Sequence, residues 1–181
     1  MKKKAIIVSI KGATLSNKER LLFSNEKPWG LILFRRNIVS LNQLQSLIKK
    51  IRILTKDIYF PILIDEEGLT VSRLKKLIQH DISANYFGGI YLKNKRLSIC
   101  LYKTYLNSLC KKLKKIGINI NTIPVLDVLR TNTSKVIGNR SFSNKKEIVK
   151  KLGKITVNQC HSNKIISVIK HIPGHGCAVS D

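Results

Sequence analysis

Apolar positions gather into five short runs, residues 5–10, 31–34, 58–64, 118–123 and 165–169, rich in Ile, Leu and Val. Runs of this length without polar alternation suit strands buried on both faces, because neither face then meets water. Only 118–123 alternates, with Ile118 and Ile120 set against Asn119 and Asn121, the pattern of a half-exposed strand. Between the runs the spacing turns helical. Leu44, Leu47, Ile48 and Ile51 share one face within 41–54, and Leu106, Leu109, Leu113 and Ile116 share one within 101–116. Ser16-Asn17-Lys18-Glu19 has the spacing of a capping box, Ser40 stands as N-cap to the 41–54 helix, and Ser143 as cap to a helix over 147–158. Residues 79–97, with the Gly88-Gly89 pair, show weak periodicity and predict no single element. Strand followed by helix, repeatedly, predicts an α/β fold with a parallel sheet. With no low-complexity linker or repeat, residues 1–181 are expected to form one domain.

Charge complicates this picture. The 34 Lys and Arg against 10 Asp and Glu leave a net charge of +24, a field that attracts nucleic acid or anionic surfaces. A basic, non-enzymatic nucleic-acid-binding module is therefore a competing reading. Against it, the basic residues are mostly lysines spread in pairs such as Lys49-Lys50, Lys111-Lys112, Lys114-Lys115 and Lys150-Lys151, and aromatic residues make up 6% of the chain. No base-reading motif is visible, so no specific nucleic-acid partner is expected. Cys100, Cys110, Cys160 and Cys177 form no C-x-x-C pair, which excludes a zinc ribbon or dithiol redox motif and fits reduced cysteines in a cytoplasmic protein. After Met1-Lys2-Lys3-Lys4 only six apolar-leaning residues follow, too few for a signal-peptide core or a membrane span, so no membrane insertion is expected.

In parallel α/β folds, functional groups collect at the C-terminal ends of strands. Three runs end in suitable chemistry. Residues 58–64 lead into Asp65-Glu66-Glu67-Gly68, three adjacent carboxylates in a chain that holds ten acidic residues, with Asp65 the strongest functional candidate. For Glu66 and Glu67 a plain helix-start or loop role stands equally open. Residues 118–123 lead to Asp127 and then to Gly138-Asn139-Arg140, where Arg140 could fork onto a pair of ligand oxygens and Asp127 could serve as a structural partner or loop cap. Residues 165–169 run into Lys170-His171-Ile172-Pro173-Gly174-His175-Gly176. His171 and His175 have the four-residue spacing of helical zinc ligands, but Pro173-Gly174 between them argues against a helix, so ligand contact is preferred to a metal site. No phosphate-binding glycine loop or metal-ligand set is present, so no cofactor is expected.

Five segments carry a resemblance: Gly30 to Ile38, Ile64-Asp65-Glu66-Glu67-Gly68, Pro124-Val125-Leu126-Asp127-Val128, Ile137-Gly138-Asn139-Arg140-Ser141-Phe142, and Lys170 to Gly176. In this order and spacing the chain resembles family 3 glycoside hydrolases of the bacterial β-N-acetylhexosaminidase type, from about Leu15 to Asp181. The resemblance implies a (β/α)8 TIM-type barrel, of which about five of eight strands are expected here, leaving it C-terminally incomplete. It further implies that Asp65 accepts hydrogen bonds from sugar hydroxyls and that Arg73, Arg140, Lys170 and His171 help hold the sugar. The implied substrate is a terminal N-acetyl-β-D-glucosamine in an amino-sugar glycoside or muropeptide, released by a retaining mechanism during peptidoglycan recycling. The family's acid/base His is held by an Asp that the pattern places at Asp181, so that His would fall two residues further on and the nucleophilic Asp later still. The 181-residue chain alone is therefore expected to be inactive. Glu67-Gly68-Leu69-Thr70-Val71 replaces the family's Glu-Gly-Gly-Arg-Val, a departure in the loop after Asp65. A family 3 β-glucosidase or β-xylosidase is the alternative enzyme, distinguished by lacking the His-based segment that Asp181 would begin.

Overall fold

The computed structural model describes residues 3–79 and 81–179. Five strands, β1 (Lys4–Val8), β2 (Pro28–Leu33), β3 (Ile62–Ile64), β4 (Ile120–Asn121) and β5 (Ile166–Ser167), lie side by side in chain order, every pairing parallel. Parallel neighbours require crossovers, and the helices supply them: α1 (Asn17–Leu21), α2 (Leu41–Thr55), α3 (Ala84–Lys93), α4 (Lys95–Ile116) and α5 (Lys146–Ser162). The expected α/β architecture is the one observed. Leu31 and Leu33 of β2 and Ile62 and Ile64 of β3 pack with Leu44, Leu47, Ile48 and Ile51 of α2 and with Leu106, Leu109, Leu113 and Ile116 of α4 in one buried core. Each such side chain contributes about 1.5–3 kcal/mol by leaving water.

Local start signals act largely as their chemistry predicts. Ser16 and Glu19 form the reciprocal capping box of α1, and the Ser40 side chain caps α2 by accepting from Gln43 N–H. Ser143 does not cap α5. That helix begins at Lys146 after Lys145, and the Ser143 hydroxyl instead accepts the Lys145 N–H at 3.1 Å, tightening the turn before it. The weakly periodic 79–97 stretch holds the start of two helices, α3 capped by Ser83 and α4 capped by Asn94. Gly88 interrupts the apolar pattern where the backbones meet. A Cβ there would lie 1.7 Å from the Phe142 carbonyl oxygen, so α3 packs by this close approach as well as by Phe87, which is buried in the core with Ala84 and Tyr91 packed against it.

The strand runs differ from expectation in three ways. Only Ile62–Ile64 of the 58–64 run is strand, because Asp57 accepts the Tyr59 N–H through its side chain and the Phe60 N–H through its carbonyl, and this turn leaves Ile58 and Tyr59 exposed. The alternating run is not half-exposed, since Ile118, Ile120, Asn121, Thr122 and Ile123 are all buried. Its asparagines meet backbone in place of water: Asn119 Oδ1 accepts the Ile62 N–H at 2.7 Å, while Asn121 accepts Glu66 N–H at 3.0 Å and donates to Glu66 O at 2.9 Å. Finally, β1 and β5 were expected to be buried and instead form open edges, with Ile6, Ile7 and Ile166 exposed, because each pairs on one side only among the described residues. The cysteines are free thiols, although Cys110 of α4 and Cys160 of α5 come within 3.8 Å in the core. Among the described residues no helix is long and apolar enough to cross a membrane.

Candidate functional site

The residues following β3, β4 and β5 meet at the C-terminal edge of the sheet. Beyond Ile64 the chain stays extended through Asp65, Glu66 and Glu67, so alternate side chains part company. Glu66 turns inward and is fully buried. Its carboxylate accepts from Ser72 Oγ at 2.5 Å, Arg73 N–H at 2.9 Å and Leu74 N–H at 2.8 Å. This brace folds residues 67–72 back so that Arg73 reaches Asp65, with Nη2 donating to Oδ2 at 2.8 Å.

Asp65 and Glu67 lie on the opposite side from Glu66 and share a cation. Lys170, delivered by the segment after β5, sits 2.5 Å from Glu67 Oε1 and 3.5 Å from Asp65 Oδ1, and donates to Thr122 Oγ1 at 2.9 Å. It is held level with the end of β4 by main-chain bonds, Leu126 N–H to Lys170 O at 2.6 Å and Lys170 N–H to Pro124 O at 3.1 Å. Arg140 forks onto the Glu67 carboxylate, with Nε and Nη2 at 2.9 and 3.0 Å. The result is an alternating chain of charges, Arg73, Asp65, Lys170, Glu67 and Arg140, partly open to solvent.

Electrostatics favour the charged forms of Asp65 and Arg140. Burial would raise the Asp65 carboxyl, but the Thr122 hydroxyl, the Arg73 guanidinium and the Lys170 ammonium outweigh it and hold it below the ordinary aspartate value. Burial likewise opposes the Arg140 charge, and the fork onto Glu67 more than restores it.

His171 follows Lys170 but faces another way. Its Nδ1 lies 2.6 Å from Oδ2 of Asp127, a carboxylate with no exposed side-chain surface. Gly174, at φ 131°, turns the chain so that the His175 N–H donates to the other Asp127 oxygen. The His171 and His175 rings stand edge to face, 5.3 Å apart. Among the described residues no group of three or more His, Cys, Asp or Glu could hold a metal ion.

Of the residues singled out from the sequence, Asp65, Arg73, Arg140 and Lys170 thus form one ion network, while His171, next to Lys170 in the chain, pairs with Asp127 outside it. Asp181 lies outside the described residues. The fork of Arg140 grips Glu67, where the sequence suggested ligand oxygens. Sequence reasoning left Glu67 undecided and passed over Thr122. The two-residue step from Asp65 to Glu67 in extended chain was the available signal for the first, whereas no pattern marks Thr122.

Comparison with known proteins gives the family of this fold. Residues 3–181 match the model described as the glycosyl hydrolase family 3 N-terminal domain. Curated beta-hexosaminidases of Nitrosomonas eutropha and Xanthomonas axonopodis pv. citri are 33% and 27% identical over 178 residues, 97% of this chain. Those stretches make up 50% and 52% of the two relatives, so the chain spans about half their length. NagZ from Neisseria gonorrhoeae superposes with a TM-score of 0.91 at 29% identity over 99% of this chain and 52% of its own. That enzyme has also been solved in complex with N-trifluoroacetyl-D-glucosamine. With a match that runs from Lys3 onward and a sheet that superposes on NagZ, the chain belongs to glycosyl hydrolase family 3, in its N-terminal domain, and is similar there to beta-hexosaminidases.

Proposed function

We propose that the alternating ion network holds the terminal non-reducing N-acetyl-β-D-glucosamine, or a related hexosamine, of an amino-sugar glycoside. The observation that carries this is Asp65, a partly accessible carboxylate held between Arg73 and Lys170. A neutral polyhydroxylated ring needs acceptors and donors together, and neighbouring hydroxyls suit the two oxygens of one ionised carboxylate. Asp65 accepts, Lys170 and Arg73 donate beside it, and Arg140 and His171 complete the enclosure. A polyanion would need cations left uncompensated, whereas each cation of this network faces a carboxylate. This favours a sugar over nucleic acid as ligand.

In this reading the reaction is a retaining glycoside hydrolysis. A carboxylate attacks the anomeric carbon, the leaving oxygen takes a proton from a His, and water then displaces the carboxylate with that His as base. Asp65 is not the nucleophile in this reading, because its position does not match the one that the family resemblance gives the nucleophilic Asp, later in the sequence. The reading assigns the nucleophile and the acid/base His to sequence beyond the 181 residues, with Asp181 orienting that His. Muropeptides are the proposed substrates, and cytoplasmic peptidoglycan recycling the proposed setting.

The 181-residue chain is expected to bind N-acetyl-D-glucosamine without releasing the chromophore from an aryl N-acetyl-β-D-glucosaminide. Extension through the natural downstream sequence should restore release, and Asp65→Ala in that form should lower kcat/KM about 100-fold, the effect of removing a charged hydrogen-bonding partner. A folded extended chain that leaves the aryl N-acetylglucosaminide intact would sink the proposal. Faster cleavage of an aryl glucoside would move it to the β-glucosidase type.

A further inference from the structure

Asp127 is a buried carboxylate to which the sequence assigned no more than an open structural role. With no exposed side-chain surface, it needs hydrogen bonds in place of water. Both oxygens are used, Oδ2 by His171 Nδ1 at 2.6 Å and Oδ1 by the His175 N–H. Its main-chain oxygen accepts the Ser141 hydroxyl at 2.5 Å, one residue beyond Arg140. Three segments distant in sequence therefore close on one residue: the end of β4, the Arg140 loop, and the turn after Lys170. Gly176 completes the fit, since a Cβ there would lie 2.4 Å from the Val128 carbonyl oxygen and push this turn off the Asp127 segment.

The consequence for His171 is chemical. A ring nitrogen that faces a carboxylate carries the proton, so Nδ1 is the N–H of His171. The neutral ring then has a lone pair on Nε2, the reverse of the tautomer that free histidine prefers. Burial would raise the Asp127 carboxyl, but the His171 hydrogen bond and the His175 N–H outweigh it, so the acceptor stays ionised.

We propose that Asp127 is a positioning residue of the sugar site, which fixes His171 as the Nδ1–H imidazole so that Nε2 accepts a hydrogen bond from a sugar hydroxyl. This rests on the sugar-binding function proposed for the site. Lys170 and His171, adjacent in sequence, then have opposite roles, the ammonium donating to the ring and the imidazole accepting from it. The same carboxylate sets the height of the Pro173–Gly174 turn.

The Asp127→Asn variant tests this sharply. The His175 N–H can only donate, so the Asn oxygen must face it, and the Asn NH2 is left facing His171 Nδ1. Nδ1 is then forced to accept, and the proton moves to Nε2. Long-range 1H–15N correlation spectra of the sugar-free chain, recorded as pH is raised until the ring signals no longer move, read the tautomer of the neutral ring directly. The expected result is Nδ1–H in the unsubstituted chain and Nε2–H in Asp127→Asn, with affinity for N-acetyl-D-glucosamine reduced about tenfold, the weight of one hydrogen bond. In a His171→Ala background the Asn substitution should cost nothing further. Nε2–H in the unsubstituted chain overturns the proposal, and that spectrum decides even where the Asn variant does not fold. A tenfold loss that persists without His171 overturns the positioning role. An unsubstituted chain with the Nδ1–H tautomer and no affinity for the sugar supports the Asp127 assignment and counts against the sugar-binding function alone.

Discussion

Lys170 decides the charge balance at the residue scale, because one ammonium serves both Asp65 and Glu67. Two lowered carboxyls, Asp65 in this network and Asp127 beside His171, make the site acid-sensitive, and the sign follows from them. Both carboxyls are held below the ordinary value in the folded chain, so their stabilising contribution is complete above the unfolded pKa of about 3.9 and is lost as pH falls through the lower folded values. The midpoint of thermal unfolding should thus vary little from these two groups between about pH 5 and 7 and drop below about pH 4. Asp65→Asn should flatten that acid limb by on the order of 1 kcal/mol, since the pair is partly solvent-screened. An acid limb identical in Asp65→Asn would show that the ion network contributes nothing to stability. Asp65, Arg140, Lys170 and His171 stood out in the sequence because each follows an apolar run or lies in a family motif, and Arg73 came with the resemblance alone. Their partners did not, since whether Arg140 meets a ligand or Glu67 depends on packing between loops about 70 residues apart. Glu66 and Glu67 show the same limit: neighbours in sequence with the same chemistry, they end on opposite sides of an extended chain, one as a buried brace and the other in the network.

Elements were most legible where the apolar stripe alone determines them. α2 and α4 follow their Leu and Ile spacing, whereas α3 combines a short face of Ala84, Phe87 and Tyr91 with the approach of Gly88 to the Phe142 carbonyl, which leaves no side-chain signal. The β4 asparagines misled for a related reason: alternation signals solvent only when water is the partner, and here the partners are the Ile62 N–H and the Glu66 backbone. Gly88→Ala tests how α3 is placed. Its methyl would lie 1.7 Å from the Phe142 oxygen, so helix and loop must separate. The helical propensity gained, about 1 kcal/mol, opposes a packing loss of about 3 kcal/mol or more, and net destabilisation is expected in denaturant titrations. Because Phe142 closes the segment that carries Arg140 and Ser141, sugar affinity should fall as well. A stabilised Gly88→Ala chain would mean that α3 does not hold that loop.

Across the whole molecule two opposing features remain, open apolar sheet edges and a net charge of +24. Ile6 and Ile7 on β1, Ile166 on β5, and Val168 and Ile169 just beyond it present apolar side chains beside unpaired strand edges, the arrangement that invites association. Repulsion between like-charged copies opposes this, and it acts over about 30 Å at 0.01 M salt but only about 3 Å at 1 M. Salt therefore selects between the two. The chain should be monomeric in dilute buffer and associate as sodium chloride rises from about 0.02 to 0.5 M, seen by light scattering as a growing hydrodynamic radius. Ile7→Lys together with Ile166→Lys should suppress that growth, because lysine at an edge obstructs further strand pairing. Both sites are exposed, so each substitution should alter stability by only about 0.5 kcal/mol. Association that weakens with salt instead would place the contact between the lysine-rich faces and the few carboxylates of a second copy, and the open edges would then have no part in it.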